Sequence, residues 1–201
     1  MSKRGVLMVV SGPAGVGKGT VCKQFLKDNP EVWLSVSATT RSPRPGEEHG
    51  REYFFLSKEE FEDKIQSDNL LEYVCFVGNY YGTLKSAVEE KISAGIDVLL
   101  EIEVEGAMNV KKKFPDSVLV FVVPPSFTEL AERLKGRGTE TAEVIEKRLA
   151  RAREEFECAK HYDYVLLNDT IDNAAEKLKN IITAEKMKIE RNKTLIEEAK
   201  K

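Results

Sequence analysis

Cysteine is scarce in this chain: Cys22, Cys75 and Cys158 stand far apart and number only three, which fits neither a disulfide framework nor a paired-cysteine zinc site. They read as reduced thiols of an intracellular protein. Long apolar runs are missing as well. No stretch approaches the ~20 residues that span a bilayer, and the apolar run Val6–Val10 is too short for a signal-peptide core. A cytoplasmic protein without membrane association is therefore expected. An excess of positive charge is also absent, since 31 basic and 34 acidic side chains leave a formal charge of -3. No general nucleic-acid affinity follows from such a balance, and any anion site must be local. Proline and glycine, at 7 and 13 residues, are too few for a collagen-like chain. What is present, 41% hydrophobic and 32% charged residues in a chain of 201, suits one globular domain, or a core carrying small inserted subdomains.

Val6-Leu-Met-Val-Val10 reads as a strand buried on both faces of a parallel sheet. A glycine-rich turn follows, and then Val21, Cys22, Phe25 and Leu26 share one helical face that Pro30 closes. Further strands are expected at Val98–Ile102, Val118–Val123 and Tyr164–Leu167. Ser126-Phe-Thr-Glu129 has the form of a capping box opening a helix toward Leu134. Helices are also expected from about Thr141 to Lys160 and from Asp172, as the N-cap, through Ile182. This alternation predicts an α/β layered core with a parallel sheet. The stretch from Ser35 to Glu90 differs in texture: it carries Pro43 and Pro45, a boxed helix start at Ser57-Lys-Glu-Glu60, an apolar run from Leu70 to Val77 and the turn-like Gly78-Asn-Tyr-Tyr-Gly82. It reads as a strand-rich insert. The polar, arginine-bearing segment 135–153, with Gly136-Arg-Gly138 near its start, reads as mobile, and Glu185–Lys201 as a solvated helix that frays.

Gly12-Pro-Ala-Gly-Val-Gly-Lys18 matches G-x-x-x-x-G-K between a predicted strand and a predicted helix. Its glycines let backbone N–H groups wrap phosphate oxygens, the helix N-terminus adds partial positive charge, and Lys18 neutralises the terminal phosphates. The hydroxyl residue that normally follows the lysine is Gly19 here, with Thr20 one step later, so Mg²⁺ ligation falls to Thr20 or to ordered water. D-x-x-G and N-K-x-D, the strings of switch GTPases, do not occur in the chain. ATP as a donor is the expectation.

A second anion site is suggested by Arg41 and Arg44, three residues apart in a Pro- and Gly-stiffened segment, whose guanidinium forks could clamp one phosphate. Tyr53 and Tyr81 add phenolic donors. With these residues the chain resembles the guanylate kinases of the short, bacterial-looking form. The resemblance runs over roughly residues 5 to 183 and rests on the phosphate loop, Thr39-Thr-Arg-Ser-Pro-Arg44, Gly50-Arg-Glu-Tyr53, Gly78-Asn-Tyr-Tyr-Gly-Thr83, Leu100-Glu-Ile-Glu103 with Gly106, and Arg137-Gly-Thr-Glu140. It implies a P-loop NTPase-type three-layer core (1–36, 91–125 and 154–201), a GMP-binding insert (37–90) and a mobile helical lid (126–153). It implies phosphorylation of GMP, and of dGMP with it, by ATP in purine nucleotide recycling. Carried over by position, Arg41, Arg44, Tyr53 and Tyr81 hold the GMP phosphate, and Ser37, Glu72, Thr83 and Glu103 face guanine. Gly12, Pro13, Ala14, Gly15, Val16, Gly17, Lys18, Gly19 and Thr20 cradle ATP, Arg133, Arg137 and Arg148 surround the transferred group, and Asn168 lies near adenine. The resemblance leaves a homo-oligomer open.

The residue chemistry is compatible with that assignment. Guanine presents N1–H and N2–H₂ donors on one edge, which favours carboxylates such as Glu72 and Glu103, and hydroxyls of Ser37 and Thr83 can serve O6 or N7. A surface carboxylate at a strand end is the plainer account of Glu72. Glu101 and Glu103, near the end of a buried-type strand, suggest ligands or Mg²⁺ contact, Glu101 through water, with a structural ion pair as the competing account. The acceptor phosphate is already ionised, so no protein base is required, and His49 and His161 can be ordinary polar residues. Charge neutralisation is what phosphoryl transfer needs, and Lys18, Arg44, Arg137, Arg148 and Mg²⁺ are expected to supply it. Kinases for other nucleoside monophosphates and a noncatalytic binding module of the same fold are the rivals; the intact phosphate loop disfavours the module.

Overall fold

In the computed structural model, which describes residues 4–136 and 141–201, the first apolar run becomes β1 (Leu7–Ser11), with every residue buried. It is followed by α1 (Lys18–Asp28), β2 (Trp33–Leu34), β3 (Ala38–Thr39), β4 (Phe54–Phe55), α2 (Lys58–Gln66), β5 (Leu70–Phe76), β6 (Asn79–Leu84), α3 (Lys85–Ser93), β7 (Val98–Glu101), α4 (Val104–Lys113), β8 (Val118–Val123), α5 (Phe127–Lys135), α6 (Ala142–Glu157), β9 (Tyr164–Leu167), α7 (Ile171–Met187) and α8 (Lys193–Ala199). One sheet has the order β2-β7-β1-β8-β9 with every pairing parallel. Side chains of β1 alternate between two helical layers. Met8 and Val10 pack with Phe25 of α1, Leu130 of α5 and Leu178 of α7, whereas Leu7 and Val9 pack with Val88 of α3 and Val110 of α4. Both faces being covered, the strands read as unbroken apolar runs, and the three-layer α/β core is observed.

The second sheet, β4-β3-β6-β5, is mixed, with β3 and β4 parallel and the rest antiparallel. Phe61 of α2, Ala38 and Leu70 form its small core. The capping box at Ser57 is complete: Ser57 Oγ accepts from Glu60 N at 3.1 Å and Ser57 N donates to Glu60 Oε2 at 2.7 Å.

Several local expectations change. Gly78–Gly82 is not a turn: Asn79 already pairs with Phe76, leaving Val77 (φ 49) and Gly78 (φ 75) as the two-residue hairpin loop. The N-cap of α7 is Thr170, whose hydroxyl accepts from Asn173 N, and Asp172 sits inside the first turn. The capping box at Ser126 is half made, because Glu129 directs its carboxylate to Arg133. The C-terminal helix is not continuous; it stops at Met187, passes through a 3-10 turn at Ile189–Arg191 and resumes as α8. Residues 142–153 lie in α6, which buries Ile145 and Ala152 in the core and opens at Thr141.

Candidate active site

The phosphate loop joins β1 to α1 at the C-terminal end of the central strand, between β7 and β8, where strand order reverses and ligands of such sheets gather. Gly17 takes φ 91 at the start of α1, and a Cβ there would stand 2.5 Å from Asn168 Nδ2, so glycine is required. Lys18 Nζ donates to Gly12 O at 2.6 Å and Pro13 O at 3.3 Å, which holds the ammonium across the loop. The Val16 side chain is fully buried, and its carbonyl is the functional part, accepting from Asn168 Nδ2 at 2.7 Å and Arg133 Nη1 at 3.2 Å. Arg133 also donates to Glu129 Oε1 at 2.5 Å and Asn168 O at 3.3 Å. Asn168 and Arg133 thus brace the loop, and together with Gly17, Thr20 and Thr170 they line an open recess of about 440 Å³.

Beside it, Ala14, Gly15, Lys18, Gly19, Thr20, Glu101, Glu103 and Arg148 wall a second recess of about 360 Å³. A Cβ on Gly19 would lie 3.2 Å from Glu101 Oε1, so the position lacking the hydroxyl faces this carboxylate directly. Burial raises the Glu101 pKa; Lys18 opposes that rise and Glu103 adds to it. Among the described residues no three His, Cys, Asp or Glu side chains form a metal cage. The donors that are present, the Glu101 carboxylate and the Thr20 hydroxyl beside a phosphate loop, suit a hard divalent cation that takes its other ligands from phosphates and water.

A third cleft, of about 290 Å³, shares Lys18, Glu101 and Glu103 with the phosphate recess and is completed by Ser37, Glu72, Tyr81, Gly106, Asn109 and Arg151. It brings together four of the expected guanine and phosphate contacts from both sheets. Glu72, half-buried on β5, accepts from Thr83 Oγ1 at 2.6 Å across the β5–β6 pair. Thr83 is itself buried, so it orients Glu72. Burial raises the Glu72 pKa against the lowering effect of the Thr83 hydrogen bonds. A Cβ on Gly106 would come within 3.3 Å of Glu72 Oε2, so the glycine leaves the space that this carboxylate fills.

At the edge of this cleft Arg41 lies over the rings of Tyr53 (5.4 Å) and Phe55 (5.8 Å), and Tyr53 meets Tyr81 edge-on at 6.1 Å. Arg41 Nη2 donates to both oxygens of Glu47 at 2.9 Å, and the Arg44 backbone N–H donates to the same carboxylate at 2.8 Å. Glu47 lowers the availability of Arg41 and raises its pKa. The Arg44 side chain is exposed and makes no hydrogen bond of its own among the described residues. Arg137 lies outside the described residues.

Sequence reasoning missed Glu47 and Arg151. Glu47 follows the arginine segment as one acid in a charged run, and nothing local marks it as the partner of Arg41. Arg151 had a signal: it falls three residues after Arg148 on α6, on the same helical face.

Two clefts that share Lys18, Glu101 and Glu103, one walled by the glycine loop and the other completed by Glu72 and Arg151, suit transfer of a phosphoryl group between two nucleotides, and with this sheet they define a P-loop kinase. The guanylate kinase family model matches residues 4–185. A guanylate kinase of Desulfitobacterium hafniense is 55% identical over 93% of this chain and 94% of its own length. One from Streptococcus thermophilus is 54% identical over 95% and 92%. The solved guanylate kinase of Anaplasma phagocytophilum superimposes with a TM-score of 0.69 at 32% identity, covering 92% of this chain and 88% of that one. The chain belongs to the guanylate kinase family. Among the described residues no helix is long and apolar enough to cross a membrane.

Proposed function

We propose that this chain transfers the γ-phosphoryl group of ATP to GMP, or dGMP, giving ADP and GDP, with the donor on the Gly12–Thr20 loop and the acceptor in the Glu72 cleft. An ionised phosphate oxygen of GMP attacks Pγ, the bond from Pγ to the β,γ-bridging oxygen breaks, and ADP leaves, so no protein base is needed. The observation that carries the reading is the Thr83-oriented Glu72 carboxylate in a cleft that also contains Lys18. Glu72 and Glu103 accept from the N1–H and N2–H₂ edge of guanine, which adenine lacks. Arg41, Arg44, Tyr53 and Tyr81 hold the acceptor phosphate. Lys18 and Arg148, with Arg137, bear on the transferred group, and Arg133 and Asn168 keep the donor loop in shape.

Mg²⁺ fits the donor set of Thr20 and Glu101, the latter through water, and, when bound, supplies charge neutralisation on the ATP phosphates. The segment 126–153 serves as a lid that excludes water, and 37–90 as the acceptor-binding insert. ADP formation from ATP, measured with GMP, AMP, CMP and UMP in turn, tests the reading. Turnover with GMP should exceed that with each of the others by at least about 10²-fold, and equal turnover with AMP would overturn it.

A further inference from the structure

Helix α6 presents Arg148, Arg151 and Glu155 along one face, at spacings of three and four residues. Arg148 lines the recess around the phosphate loop, whereas Arg151 lines the acceptor cleft. The two cavities share Lys18, Glu101 and Glu103. Three residues of helix advance about 4.5 Å along the axis, so the two arginines stand one above the other beside adjoining cavities. One helix face therefore carries one arginine for the donor side and one for the acceptor side.

Arg151 is also fixed at its base. Its Nε donates to Glu155 Oε1 at 2.9 Å, and Glu155 is anchored in the protein at 11% side-chain exposure while Arg151 keeps 63%. Among the described residues its two terminal nitrogens have no hydrogen-bond partner. The acceptor cleft is otherwise acidic, with Glu72, Glu101, Glu103 and Glu105 facing it. A doubly charged acceptor phosphate entering beside four carboxylates needs nearby cations. Lys18 is held on the carbonyls of the donor loop and Arg41 on Glu47. The influence of Glu103 and Glu105 on Arg151, which adds to that of Glu155 in raising its pKa, places the guanidinium in the field of the cleft acids.

We infer that Arg151 is a further substrate-binding residue of the reaction proposed above, holding the acceptor phosphate against Lys18 through its terminal guanidinium nitrogens, with Glu155 as the residue that positions it. The inference rests on the assignment of this cleft to the nucleoside monophosphate. The competing account is that Arg151 only neutralises Glu155.

Steady-state kinetics of the whole chain, with GMP and with inosine monophosphate as acceptors, separate the two for wild type, Arg151→Gln, Arg151→Lys and the double variant Arg151→Gln/Glu155→Gln. Arg151→Gln should raise the KM for both acceptors by about 10-fold or more, equally because phosphate carries no base identity, and leave the KM for ATP within about twofold. Arg151→Lys should recover part of the loss, since the charge returns without the fork. The double variant should stay as impaired as Arg151→Gln. Wild-type acceptor constants in Arg151→Gln, or restoration of activity in the double variant, would overturn the role of Arg151 and leave the proposed reaction standing. A wild-type enzyme inactive on GMP would overturn both.

Discussion

Replacing Glu72 with glutamine preserves size and one acceptor while reversing the polarity of the other atom. Thr83 Oγ1 donates to Glu72 Oε1 at 2.6 Å, so the amide oxygen of the introduced glutamine takes that place and keeps the Thr83 bond. The amide NH₂ then occupies the Oε2 position, in the space that Gly106 leaves open, and on the proposed reading of this cleft faces the guanine N1–H and N2–H₂ donors. Donor meets donor. Hydrogen bonds to a charged acceptor contribute about 1.5–3 kcal/mol, and a donor left unpaired in a closed site adds to the loss. The expected change is about 2–4 kcal/mol, or roughly 30- to 1,000-fold in kcat/KM for GMP. The phosphate loop is untouched, so the KM for ATP should hold. Inosine monophosphate lacks the N2 amine, and the wild-type preference for GMP over it should shrink in Glu72→Gln. Acceptor kinetics with both nucleotides check this, and an unchanged preference would refute the reading of Glu72 and leave Glu103 and Ser37 to account for base choice.

The same carboxylate gives a pH dependence. Burial raises the Glu72 pKa, so the folded state takes up its proton at a higher pH than an unfolded glutamate does. Stability contributed by this group falls as pH rises through that window, and Glu72→Gln should be slightly more resistant to urea than wild type at neutral pH. Binding needs the ionised form, so the KM for GMP should rise on acidification through the raised pKa, and this limb should vanish in Glu72→Gln, as a pH profile of both proteins will show. Lys18→Ala should leave the circular dichroism unchanged and lower kcat by at least about 10²-fold, because a charge aimed at the developing phosphate charge is lost. Gly17→Ala forces a side chain into φ 91 and within 2.5 Å of Asn168 Nδ2, which should cost about 1–3 kcal/mol of stability and raise the KM for ATP, read by thermal melting and donor kinetics. Val77→Asn should stabilise the protein by about 0.5–1 kcal/mol, since an exposed β-branched residue at φ 49 beside Gly78 gives way to one that tolerates this hairpin geometry. A higher urea midpoint is the expected result.

The core was legible because its signals are local. Val118–Val123 reads as a strand for the same reason that it is one, burial on both faces, and the glycine loop stands between β1 and α1, where the G-x-x-x-x-G-K spacing puts it. Short strands were hidden: β2 is the pair Trp33–Leu34, paired in parallel with β7, and no periodicity can develop in two residues. The hairpin at Val77 was misplaced because Asn79 and Gly82 look like turn formers, whereas the strand pairing from Phe76 to Leu70 overrides their propensity. Asp172 lost the cap of α7 to Thr170 because either residue could cap and backbone geometry decides. Within the site, the residues read from the sequence belong to contiguous motifs. Glu47, whose importance lies in its contact with Arg41, and the acceptor-side position of Arg151 depend on tertiary placement.

The most direct measurement follows the phosphoryl group itself. With ATP labelled at the γ-phosphate and excess GMP, the label should appear as the β-phosphate of GDP, with one ADP formed per GDP and little inorganic phosphate. Label released as inorganic phosphate irrespective of GMP, or absent from GDP while another monophosphate accepts it, would contradict the account.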